Sequence, residues 1–152
     1  MQYTGRQMAT GIVVGGLVAG NVDIGAASLI NGVNPIVILR AIASGLLGNA
    51  SFDGGTPAAA LGYALQCGMS VLIATVFVTA ARVLPGLRFR WIAAGVSFGI
   101  VVYFVMEYVV VPLSAIGHAP RFHVVSFLEN LLAMIVFGLI IAYFARAPAT
   151  QP

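Results

Sequence analysis

The sequence has no lysine, only four acidic residues and a single cysteine. Charged residues make up 7% of the chain, against about 25% in an ordinary soluble domain. So few charges cannot cover a water-facing surface, and a soluble fold is excluded. The positive charge comes from seven arginines, at positions 6, 40, 82, 88, 90, 121 and 146. They are scattered rather than gathered on one face, which excludes a nucleic-acid patch. Cys67 alone excludes an intrachain disulfide, and its place inside an apolar run assigns it to packing. There is no Gly-x-Ser-x-Gly, no His-Glu-x-x-His, and no strand ahead of the first glycines to make a phosphate loop. No catalytic residue is therefore expected, nor an enzyme, nor a cofactor. A cleaved signal is not expected either, because the first apolar stretch is long and interrupted by Asn21 and Asp23.

What the chain does have is apolar length. Hydrophobic residues account for 61% of 152 positions, with a mean hydropathy of +1.05. Four runs reach the roughly 20 residues that cross a bilayer: about 8–31, 57–82, 91–112 and 123–144. Thr56-Pro57 reads as an N-cap with proline at the first helical position of the second run. Between the first two runs, residues 35–47 form a shorter apolar helix that starts at Asn34-Pro35 and stops at glycine. At that length it is interfacial or re-entrant. The expected fold is all-α: residues 1–152 form one integral membrane domain, a four-helix transmembrane bundle with a short helix between spans 1 and 2.

The arginines also give an orientation. With alternating spans, Arg6, Arg82, Arg88, Arg90 and Arg146 fall at one end, and Arg40, Arg121 and Asp53 at the other. The positive-inside rule then places both termini in the cytoplasm. Tyr3, Trp91, Tyr108 and Tyr143 lie near span ends, as interfacial aromatics do.

Small residues recur at helical spacing. Gly11 and Gly15, Gly16 and Gly20, and Gly95 and Gly99 are each four apart, a pattern that lets helix backbones approach closely in lipid. In spans 1 and 3 such a pair is followed eight residues later by an acid, Asp23 or Glu107, which hints at an internal repeat.

The polar residues of the spans share one level. At 1.5 Å rise per residue, Asp23 lies about 12 Å, Gln66 about 14 Å, and Glu107 and Glu129 about 9 Å from the outer ends of their helices. Gly62, Gln66 and Ser70 repeat every four residues along one face of span 2, and Gly16 and Asp23 share a face of span 1. Tyr103 stands one turn before Glu107, and Ser126 one turn before Glu129 and Asn130. One inward-facing cluster of Asp23, Gln66, Glu107, Glu129 and Asn130 is therefore expected. Arg40 is the arginine best placed to enter it, while His118, Arg121 and His123 lie near its rim.

Two functions fit such a cluster. A carboxyl group that takes up and releases a proton at membrane depth is the raw material of proton-coupled transport, so the cluster is expected to bind or pass a proton or small polar solute. Alternatively, the same groups bond helices together in an accessory or assembly subunit that docks through its glycine faces. A metal site from Asp23, Glu107, Glu129 and His123 lacks the Glu-x-x-His pair of di-iron bundles, and no metal is expected. The expected partners are the lipid bilayer and either further copies of the chain or a larger membrane complex.

AG-NV-DI (19–24), IASGLLG (42–48), F-DGG (52–55) and the Met106…Pro112 end of span 3 together carry a resemblance across nearly the whole chain. The protein resembles small four-span bacterial inner-membrane proteins of the YagU-like kind. The resemblance implies a place in the bacterial cytoplasmic membrane. That group has no agreed activity, so no catalytic residue carries over. Its pattern places a histidine in the second span near the position of Gln66, and this departure weakens a proton relay through that position.

Overall fold

The structure, a computed structural model, describes residues 4–117 and 123–146. Tyr3, His118 and Arg121 lie outside the described residues. Four helices are long and apolar enough to cross a membrane: α1 (Gly5–Asn31), α3 (Gly55–Val83), α4 (Trp91–Leu113) and α5 (Val124–Ala145). The shorter α2 (Pro35–Leu47) stands between the first two. Single helical turns, Ala50–Asp53 and Gly86–Phe89, precede α3 and α4, and no strand occurs among the described residues. The all-α bundle expected from the sequence is the fold observed.

Local chemistry sets the helix ends. Thr4 and Gln7 form a reciprocal capping box at the head of α1, satisfying two otherwise orphaned amides. Gly32 ends α1 in the left-handed region at φ 61°, where a residue without Cβ pays no steric penalty. Asn34 accepts from the Ile36 amide and Pro35 occupies the first position of α2. α3 differs from expectation. It begins at Gly55 behind an N-cap at Gly54 rather than at Thr56. Gly55, at φ 59°, turns the chain into the helix, and Pro57 still falls in the first turn, where a missing N–H is harmless.

The helices stack in the order α4–α5–α1–α3, each antiparallel to its neighbour, with α2 against the N-terminal half of α3. Small residues set the crossings. A Cβ on Gly138 would stand 2.9 Å from the Gly99 Cα, and one on Gly99 would stand 2.7 Å from the Ile135 Cα, so α4 and α5 meet backbone to backbone. Gly95 faces Leu139 and Ala142 at the same crossing. On α1, Gly11 faces Val78 and Ala145, Gly15 faces Phe144, Gly16 faces Ser70 and Val71, and Gly20 faces Ser70. Gly62 of α3 meets the Leu39 carbonyl of α2.

The apolar core occupies the end of the bundle that carries Arg82 and Arg146. It is built from Ala19 of α1, Ala74, Phe77, Val78 and Ala81 of α3, and Phe137, Ile141, Ala142 and Ala145 of α5. Trp91 meets Tyr143 edge-on at 5.7 Å, and the Arg146 guanidinium lies 3.7 Å from the Tyr143 ring centre. Such aromatic and cationic groups anchor helix ends at a membrane interface. The carboxylates of the spans lie toward the opposite end, beyond this core.

Candidate functional site

The site begins at the α1–α3 seam. Gly20 removes a side chain that would otherwise collide with Ser70, so α3 comes close enough for Gln66 to reach across. Gln66 Nε2 donates to Asp23 Oδ2 at 2.9 Å and to the Gly20 carbonyl at 3.3 Å. One turn before Gln66, the Tyr63 hydroxyl donates to Asn21 Oδ1 at 3.2 Å. Ser70 is buried one turn below Gln66. Three polar contacts therefore join α1 to α3 within two helical turns.

Asp23 has a second side. It lines a groove of about 280 Å³ between α1 and α5, and Glu129 stands on the opposite wall. The rest of the lining is apolar, including Val22, Leu29, Leu132 and Val136. Asp23 is half-buried and Glu129 is exposed. Two carboxylates thus share a narrow apolar groove, with one of them hydrogen-bonded from behind by a neutral amide. Carboxylate oxygens of this kind accept hydrogen bonds and attract cations, and they carry a donor proton when neutral. Any water or solute reaching Asp23 there meets a carboxylate whose Oδ2 is fixed in position.

Other residues of the expected cluster lie elsewhere. Glu107 sits on α4, which packs on the far side of α5 from α1, and it is not part of the groove. It falls within a π-helical turn, Met106–Val110, whose end is closed by the Val111 amide on the Met106 carbonyl. Pro112 cannot donate to the carbonyl four residues earlier and crowds it, which accounts for the widened turn. Tyr103 is buried, with edge-on contacts to Phe104 and Phe127, each at 5.4 Å. Asn130 donates to the Ser126 carbonyl of its own helix at 2.8 Å, and Ser126 is exposed. Arg40 is held at the head of α3, where its Nε donates to the Gly55 carbonyl at 3.2 Å. The shared Gly-acid spacing of spans 1 and 3 does not give like surroundings either, since Asp23 lies in regular α-helix and Glu107 in the π-turn.

Asn21 and Tyr63 are not part of the expected cluster. Their signal was present, because Tyr63 stands three residues before Gln66 and so shares its helical face. No group of three or more His, Cys, Asp or Glu placed to hold a metal ion occurs among the described residues. The glycines expected to let helices approach closely (Gly11, Gly15, Gly16, Gly20, Gly62, Gly95 and Gly99) each face another helix of the chain. No family model, curated protein or solved structure matches this chain.

Proposed function

We propose that the protein is a multi-pass protein of the bacterial cytoplasmic membrane, with both termini cytoplasmic, that binds and passes a proton or a small polar solute at the Asp23–Glu129 groove. The observation that carries this reading is the double role of Asp23, which is held by Gln66 on one side and faces Glu129 across the groove on the other. A carboxylate retained only to bond helices would need the Gln66 contact and no opening toward a second acid. Acidic groups within membrane spans are costly and mark ion pathways or proton relays. The glycine pairs of α1 and α4, together with Gly62, support this over a docking subunit, because they already face α3, α5 and α2.

Solvent access to the groove tests it. In a Cys67→Ser background, Ala26→Cys places a thiol on the groove wall, and a membrane-impermeant maleimide is applied to sealed vesicles of either orientation. Labelling from the side opposite Arg82 and Arg146 supports the reading. Protection from both sides in a folded protein contradicts it.

A further inference from the structure

A second opening lies on the other flank of the bundle and plays no part in the carboxylate site. α3 and α4 are consecutive in sequence yet share no extensive interface. Their close approach is the edge-on contact of Phe77 with Phe98, ring centres 5.0 Å apart. Between them runs a groove of about 700 Å³, within the range of about 300–1,000 Å³ usual for small-molecule sites. Phe77, Leu84, Phe98 and Val101 supply apolar walls, Ser97 a hydroxyl, and Arg90 a cation at one end.

The dimensions are informative. Arg90 and Val101 are eleven residues apart, about 16 Å along a helix, which is roughly half of a ~30 Å hydrocarbon core. The groove therefore runs through one leaflet and ends there. Its charged end, at exposed Arg90, lies at the end of the bundle that carries Arg82 and Arg146, and Arg82 itself is not part of the lining. An arginine fork matches phosphate geometry with two parallel hydrogen bonds, and basic pockets between spans hold anionic headgroups.

We propose that this groove binds one anionic phospholipid, with an acyl chain lying between α3 and α4 and the headgroup phosphate on Arg90. Phosphatidylglycerol and phosphatidylcholine of identical chains, titrated onto the detergent-purified protein and read by native mass spectrometry, separate the contributions of charge and groove. The wild type is expected to retain phosphatidylglycerol roughly tenfold more tightly than phosphatidylcholine, equivalent to about 1.4 kcal/mol. Arg90→Gln is expected to abolish that preference, while Arg82→Gln keeps it. Ser97→Trp, at an exposed position, fills the groove and lowers retention of both lipids, with an unchanged melting temperature showing that the fold is intact. Equal binding of the two lipids by the wild type overturns the proposal. So does a preference that survives Arg90→Gln, or one lost equally in Arg82→Gln, which would mark a diffuse charge effect.

Discussion

Gln66 reaches across from α3 to place its amide 2.9 Å from Asp23 Oδ2 on α1, so the carboxylate and the helix crossing depend on each other. The amide is neutral and leaves the acid's charge uncompensated. That separates what the pair does for packing from what the carboxylate does toward the groove.

Asp23→Asn keeps an acceptor oxygen for Gln66, and stability in detergent is expected to stay within about 0.5 kcal/mol of wild type. Asp23→Leu removes the acceptor and is expected to cost about 0.6 kcal/mol, and up to about 1.7, the range for hydrogen bonds between helices in membranes. Thermal unfolding of both variants checks this. Equal losses in the two would show that Gln66 is not the partner that matters.

α4 and α5 cross backbone to backbone at Gly99 and Gly138. Gly99→Ala sets a Cβ 2.7 Å from the Ile135 Cα and is expected to destabilise by about 1–3 kcal/mol. Gly68 has nothing within 4 Å of the same position, so Gly68→Ala is expected to be neutral or stabilising by up to about 1 kcal/mol. Opposite signs in one unfolding assay identify close packing, rather than helix propensity, as the role of Gly99.

Glu129 and Glu107 are expected to part company. Glu129 lines the groove with Asp23 and Glu107 does not. Glu129→Gln should therefore slow proton entry into proteoliposomes several-fold, and Glu107→Gln should leave it at the wild-type rate. Both rates are read from an entrapped pH dye. A loss in Glu107→Gln equal to that in Glu129→Gln would place the pathway outside the α1–α5 groove.

Much of this architecture is legible in the residues themselves. Apolar length gave the four helices, and Asn34-Pro35 gave the start of α2 to the residue. Depth counting placed the acids toward one end, and the shared face of Gly16 and Asp23 does meet α3, at Ser70 and Gln66. The stripe of Gly62, Gln66 and Ser70 divides between two neighbours, Gly62 going to α2 and the other two to α1. Neighbour order is what periodicity lacks: a face says that a residue turns inward, not which helix it meets. Equal depth alone groups Glu107 with Asp23, although α5 stands between their helices. Arg40 stands on the one short helix near the cluster, which makes it the expected arginine, whereas its Nε donates to the Gly55 carbonyl at the head of α3.

The most direct measurement is proton flux in proteoliposomes containing wild-type or Asp23→Asn protein at matched amounts, with folding verified by unfolding temperature. The wild type is expected to dissipate an imposed pH gradient faster than empty liposomes, and Asp23→Asn to fall to the empty-liposome rate without loss of stability. Wild-type flux that persists in Asp23→Asn, or a variant whose only defect is a lowered unfolding temperature, would contradict a working carboxylate and leave Asp23 as a packing residue.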